Sequence, residues 1–241
     1  GPPMRTPAVT ALLSTALLSV GGLSLAATLQ DGQALFDKGD WQGAATLGLS
    51  LGGAGGEVLA AKATTLGASV SPEASRKAMY QKAQGYAREA IRLDQGSADA
   101  YFELARADGR LAQFSGILQS LGLAGEVKKS LDTALRLNPR MAGAYVALGL
   151  WNAELAAKGF LATASTGASA RNVVPSFEKA VALEPTTIVH RLEYANALLK
   201  LSPQNRAAAL EQLNRAATFT PLTFWDRQDL AAVRARLAEL K

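Results

Sequence analysis

The sequence predicts an all-α protein built from helix pairs that repeat along the chain. It is 49% hydrophobic but only 6% aromatic, and its apolar content is mostly alanine, leucine and glycine. Small and unbranched residues suit closely packed helices better than strands, which favour β-branched and aromatic types. Apolar residues also recur at steps of three and four, as in Met79, Ala83, Tyr86 and Ala90, which is the period of one helix face.

A repeated motif supports this fold. Four six-residue segments each begin with alanine, have an aliphatic or aromatic residue in fourth place and, in three cases, end with proline; they cover residues 90–95, 134–139, 180–185 and 216–221. Their aliphatic or aromatic positions, Leu93, Leu137, Leu183 and Phe219, are 44, 46 and 36 residues apart. The alanine allows two helices to approach closely, and the proline ends a helix because it lacks the N–H of the next turn.

The motif predicts where each helix pair begins. Tyr101 and Tyr145 start the helices that follow the first two motifs, and the third such helix, around Tyr194, is less regular. An earlier unit covers residues 34–44, where Gly39-Asp40 has the composition of a tight turn. We therefore expect about five helix pairs within residues 28–222.

Two of these units are longer than a usual repeat. The additional residues are 114–125, which are apolar and interrupted by glycine, and 159–172, which are rich in alanine, serine and threonine. Either insert could be a loop or a helix extension. Residues 52–56, of which four are glycine, are expected to form a flexible joint between units.

Residues 223–241 predict a C-terminal capping helix. Thr223 and Asp226 have the spacing of a helix start, and the apolar residues that follow form one stripe, consisting of Leu230, Val233, Leu237 and Leu240. No repeat follows to use the other face of this helix, which is charged. We expect it to cover the exposed end of the fifth pair and to contribute stability rather than recognition.

The N-terminus predicts export. Residues 1–3 are interpreted as the remnant of an expression tag, and residues 4–26 as a signal peptide with an apolar stretch at 8–25 and small residues before Ala27. The alternative is an uncleaved membrane anchor, because 18 apolar residues are just long enough to span a bilayer. Both interpretations place the rest of the chain outside the cytoplasm, with a periplasmic or secreted location if the segment is cleaved.

The helix pairs resemble tetratricopeptide repeats, whose usual unit is about 34 residues. Over residues 98–241 the order of two long units and a short one resembles the regulator-of-microtubule-dynamics family. The matching segments are 128–139, 144–151, 177–185 and 226–230. The resemblance implies binding and tethering roles, with lipid handling at membranes in some members. Microtubule binding is not carried over, because the exported N-terminus departs from that setting.

The sequence contains no pattern typical of an enzyme, a metal site or a cofactor site. It has no cysteine and a single histidine, His190, which is interpreted as a surface or packing residue. It has neither a phosphate-binding glycine loop nor the spacing of metal ligands. The net charge is +5 without a dense basic run, so a nucleic-acid partner is not expected.

In a tetratricopeptide array the first helices of successive pairs line a concave groove, where a protein or peptide partner would bind. The predicted groove residues are Phe102, Arg106, Arg110, Val146, Leu150, Leu192, Asn196 and Lys200. Two basic or polar pairs would flank an apolar middle, so the alternative function is to carry or sense a small apolar ligand such as a lipid. These charges could also be ordinary solvated residues. The three tryptophans, Trp41, Trp151 and Trp225, are interpreted as packing residues.

Overall fold

The computed structural model describes residues 26–241, and these residues form helices and no strands. The twelve α-helices are α1 (Leu29–Asp37), α2 (Trp41–Leu51), α3 (Gly53–Ser69), α4 (Glu73–Leu93), α5 (Ala98–Ala112), α6 (Ile117–Leu137), α7 (Ala142–Lys158), α8 (Phe160–Thr166), α9 (Val173–Leu183), α10 (Ile188–Leu201), α11 (Arg206–Ala216) and α12 (Phe224–Glu239). Short 3-10 turns at Ala170–Asn172 and Pro203–Asn205 precede α9 and α11. The predicted all-α class is confirmed.

The helices form five antiparallel pairs and a final single helix. The pairs are α1/α2, α3/α4, α5/α6, α7/α9 and α10/α11, and α8 lies within the fourth pair. The first helices contact one another in the order α1, α3, α5, α7, α10, α12, whereas each second helix packs mainly between the first helices before and after it. The first helices therefore form the inner layer of a curved array, with the second helices outside.

The repeated alanines lie where neighbouring helices pack against each other. Ala90, Ala134, Ala180 and Ala216 are all completely buried, because a larger side chain at these positions would separate the two helices. Helices α4, α6 and α9 end at the leucine of the motif. Helix α11 instead ends at its alanine, so the fourth motif continues beyond the helix.

The turn predicted at Gly39-Asp40 joins α1 and α2. Gly39 has a φ of +92°, a conformation that residues with a side chain rarely adopt. The side chain of Asp40 accepts a hydrogen bond from the backbone N–H of Gly43 at 2.9 Å and thereby caps the first turn of α2.

The predicted flexible joint at residues 52–56 is wrong. Only Gly52 lies between helices, because α3 already begins at Gly53. A Cβ atom on Gly56 would overlap the carbonyl oxygen of Gly48 in α2. These two glycines therefore allow α2 and α3 to touch through their backbones, which is a packing role rather than one in flexibility.

Both inserts are largely helical. The first insert forms a turn and then extends α6, and the Trp151 indole N–H donates to the carbonyl oxygen of Ala124 in that extension at 2.9 Å. The second insert forms α8 and the 3-10 turn that follows. The buried Asn152 side chain holds it by accepting a hydrogen bond from the backbone N–H of Ser169 at 2.9 Å.

Helix α12 covers the fifth pair but also reaches the first. Leu230 and Val233 are buried against α10 and α11. At the other end of α12 the ring of Trp225 stacks on Phe36 of α1, with 5.1 Å between ring centroids. The Trp225 indole N–H donates to the Phe36 carbonyl oxygen at 2.8 Å. The predicted role of a simple end cap is therefore incomplete, because α12 connects the last pair to the first helix.

The predicted tag remnant and nearly all of the predicted signal peptide lie outside the described residues. Within residues 26–241, no helix combines the length and the apolar character needed to cross a membrane.

Candidate functional site: the inner charged surface

The first helices bring charged side chains together on the inner side of the array. We call this set the inner charged surface; its members are Lys62, Glu103, Arg106, Arg110, Glu154, Glu193, Lys200, Asp229 and Arg236. In addition to burial, charged groups on different helices shift one another's pKa values. Glu103 raises the pKa of Lys62 and Arg106 lowers it. Arg110 lowers the pKa of Glu193 and Glu154 raises it, and Glu193 in turn raises the pKa of Asp229.

On α5, Arg106 is held by its neighbours on the same helix. Its guanidinium donates to both carboxylate oxygens of Glu103, with Nη2 2.9 Å from Oε1 and Nε 3.1 Å from Oε2. It also lies over the ring of Phe102, 5.0 Å from the centroid. Burial raises the pKa of Glu103, and Arg106 opposes that shift. Arg106 therefore balances a buried carboxylate and is only partly available to a ligand.

Lys62 connects α1 and α3 on the same surface. Its ammonium lies 4.7 Å from the centroid of the Phe36 ring and donates to the side-chain oxygen of Gln33 at 3.3 Å. Burial lowers the pKa of Lys62, while Glu103 acts in the opposite direction. The Lys62 ammonium thus lies beside the same Phe36 ring on which Trp225 stacks.

Helices α7, α10 and α12 are joined by polar contacts across the surface. Lys200 donates to Glu154 at 2.7 Å, with both side chains 45% exposed, so this pair contributes at most about 1 kcal/mol. The Asn196 side-chain oxygen accepts a hydrogen bond from Arg236 Nε at 3.2 Å. A partner could displace either contact at little energetic cost.

Two carboxylates on this surface have perturbed pKa values. Burial raises the pKa of Asp229 to about 7, with smaller contributions from the charges of Glu193 and Asp226. Burial also raises the pKa of Glu193, and Arg110 partly offsets this. Within residues 26–241, no side chain hydrogen-bonds to either carboxylate. Both groups would gain from a positive charge placed between them.

The predicted groove residues separate into two groups. Arg106, Arg110, Asn196 and Lys200 lie on the inner charged surface. Of the other four, Val146 and Leu192 are buried in the core, 8% and 6% exposed, and Phe102 and Leu150 are partly buried against neighbouring helices. The predicted apolar middle is therefore reduced to the exposed parts of Phe102 and Leu150, because Val146 and Leu192 pack between helices.

The spacing of charged and polar residues along α5 and α10 indicates which face of each helix lies on the inner surface. Glu103, Arg106 and Arg110 on α5 are three and four residues apart, and Glu193, Asn196 and Lys200 on α10 repeat the same spacing. Residues at these steps share one helix face. Leu192 precedes Glu193 by one residue and so points about 100° away, toward the core.

His190 and the tryptophans are packing residues. His190 is buried, its Nε2 lies 2.9 Å from a carboxylate oxygen of Glu184, and burial lowers its pKa. Trp151 and Trp225 are buried, and Trp41 packs against Gly67. Among residues 26–241, no group of three or more histidine, aspartate and glutamate side chains is arranged to hold a metal ion.

Solved structures similar to this chain include two repeat proteins. One is TTC0263, a thermophilic TPR protein in Thermus thermophilus; it matches with a TM-score of 0.63 and 20% identity over 86% of this chain and 97% of that one. The other is a putative sel1 repeat protein from Klebsiella pneumoniae subsp. pneumoniae, with a TM-score of 0.48 and 16% identity over 88% and 90% of the two chains. The first likeness shows the tetratricopeptide fold.

A comparison with curated proteins gives no match. The family described as "Regulator of microtubule dynamics protein 1-3" matches residues 58–241. This match begins 40 residues before the segment in which the sequence motifs suggested the resemblance. It starts within α3 and includes every helix from α4 to α12. The chain therefore belongs to the regulator-of-microtubule-dynamics family of tetratricopeptide-like proteins.

Proposed function

We propose that this protein is a non-catalytic scaffold that binds a protein or peptide partner on its inner charged surface. The observation that carries the proposal is the pair of raised-pKa carboxylates, Glu193 and Asp229, which lie on that surface without a hydrogen-bonded counter-ion among the described residues. A lysine, an arginine or an amino terminus of a partner would lower the free energy of both ionised carboxylates. Arg110 beside them offers a complementary site for an acidic group.

The mixed charges favour a peptide over an apolar ligand. A pocket for a small apolar molecule is lined mainly by hydrophobic side chains. Here two of the four apolar residues expected to form such a lining, Val146 and Leu192, are buried between helices, and Phe102 and Leu150 are only partly exposed. The alternative of a lipid carrier that uses this groove therefore loses its main support.

We further propose that the protein acts in the cell envelope. The predicted cleavage before Ala27 would leave the whole of α1 intact, including Thr28, whose side chain caps the first turn together with Asp31. Export would separate the protein from the microtubules named in the description of its family, so that role is not part of the proposal.

Site-directed photo-crosslinking tests the location of the binding surface. A crosslinking amino acid at Arg110 samples the inner surface, and one at Lys82 on the outer helix α4 is the matched control, because both positions are exposed. We expect the inner position to capture a discrete partner in cells that express the full chain. Asp229→Asn combined with Glu193→Gln should reduce that capture. Equal capture from both positions would contradict an inner binding surface, and fractionation of the same cells would test the envelope location.

A further inference from the structure

Four of the most exposed large apolar side chains lie in the two inserts. Ile117 and Leu118 in the first turn of α6 are 74% and 83% exposed, and Phe160 and Leu161 in the first turn of α8 are each 82% exposed. Neighbouring apolar residues exposed to this extent are uncommon unless they mark an interaction site.

The two exposed pairs belong to adjoining elements. Helix α6 contacts α8, and residues that follow the exposed pairs, Ala124 in the first insert and Ala162 in the second, lie in one buried cluster. Neither residues 114–125 nor residues 159–170 include a charged side chain. The inserts therefore present an uncharged apolar surface on a rigid base.

Positive charge borders this surface. Lys158 directly precedes the second insert and Arg171 lies near its end, and both are exposed. No acidic residue occurs from 155 to 177. Exposed apolar side chains favour insertion at the boundary of headgroups and acyl chains, and basic residues beside them are attracted to a membrane that contains anionic lipid.

We propose that the two inserts dock this protein onto a lipid bilayer that contains anionic phospholipid. Phe160 and Leu161, together with Ile117 and Leu118, enter the boundary between headgroups and acyl chains. Lys158 and Arg171 bind phosphate groups at the surface. The docking surface shares no residue with the inner charged surface, so membrane binding would leave the residues proposed to bind a partner unoccupied.

The absence of cysteine from the chain allows clean labelling with an environment-sensitive dye. The full chain would carry one label at a time, through Leu161→Cys, Leu118→Cys or Leu222→Cys. Leu222 is the matched control because it is 80% exposed but lies outside the inserts. Vesicles of phosphatidylcholine with phosphatidylglycerol should shift the emission of the dye to the blue at positions 161 and 118 but not at 222. Phosphatidylcholine alone should give a smaller shift.

Substitutions test the same surface without a label. Phe160→Ser combined with Leu161→Ser should weaken binding to the anionic vesicles by about tenfold or more. The far-ultraviolet circular dichroism should stay unchanged because these side chains are exposed. Vesicle binding without a blue shift at positions 161 and 118 would overturn the proposal, because the chain would then bind vesicles through another surface. A blue shift that appears without vesicles and grows with protein concentration would also overturn the proposal. It would mean that the inserts contact a second copy of the chain.

Discussion

Replacing Trp225 with alanine removes the side chain that connects the last helix to the first. Trp225 is 8% exposed, stacks on Phe36 and meets the ring of Phe224 edge-on at 5.0 Å between centroids. Truncation of a buried tryptophan to alanine costs about 3–5 kcal/mol, and the lost hydrogen bond to Phe36 is about 0.5–1.5 kcal/mol of that. Trp225→Phe keeps an aromatic ring and should cost less than half as much.

Trp151 provides a matched control. It is 7% exposed and its indole N–H also donates to a backbone carbonyl, but it lies in the middle of the array. Chemical denaturation should show a similar loss of stability for Trp225→Ala and Trp151→Ala. Hydrogen exchange should differ, because only Trp225→Ala should accelerate the exchange of amides in α1.

Hydrogen exchange in α1 tests whether the contact between Trp225 and Phe36 stabilises that helix. Equal exchange in α1 for the wild type and Trp225→Ala, at a concentration of denaturant where both remain folded, would mean that the contact between α12 and α1 contributes nothing to the stability of α1. If Trp151→Ala accelerates amide exchange in α1 as much as Trp225→Ala does, exchange in α1 would occur through global unfolding rather than through the loss of this contact.

Three further predictions concern pH, backbone contact and the last helix. Folding raises the pKa of Asp229 from 3.8 to about 7, so its ionisation destabilises the fold increasingly as pH rises through this range. Asp229→Asn should therefore add about 1–3 kcal/mol to the free energy of unfolding at pH 8 and much less at pH 4. Gly56→Ala should lower the melting temperature because its Cβ would overlap the α2 backbone, whereas Gly85→Ala, with open space around it, should raise it. Deletion of residues 223–241 should lower the melting temperature and promote self-association while most helicity remains in circular dichroism. An unchanged melting curve for the truncated chain would contradict the packing assigned to α12.

Local signals in the sequence were sufficient to predict the repeats. The motif alanines are completely buried because close crossing requires a small residue at a fixed place in every unit, and this requirement is visible without a structure. The glycines of residues 52–56 were misinterpreted as a flexible joint, although Gly56 serves in helix packing. Glycine is equally compatible with a loose linker and with tight backbone contact, and only the neighbouring Gly48 on α2 distinguishes the two.

The candidate site was predicted only in part, because the register of a helix face must be known to within one residue. Arg106 and Lys200, two of the residues predicted for the groove, lie on the inner charged surface, whereas Leu192 is buried and its neighbour Glu193 lies on that surface instead. The contact between Trp225 and Phe36 joins residues 189 positions apart. No local pattern indicates such a contact, because it depends on the accumulated curvature of all five pairs.

The contact between Phe36 and Trp225 changes how the array can respond to a partner. In an open array each unit interacts only with its neighbours, so the first and last units behave independently. Here the loosening of either terminal unit also removes a contact from the other, and the two become thermodynamically coupled. A ligand that stiffens α12 through Asp229 would then also stiffen α1, which is a long-range effect that needs no change of shape. Communication between the two ends is thus a consequence of closing the array.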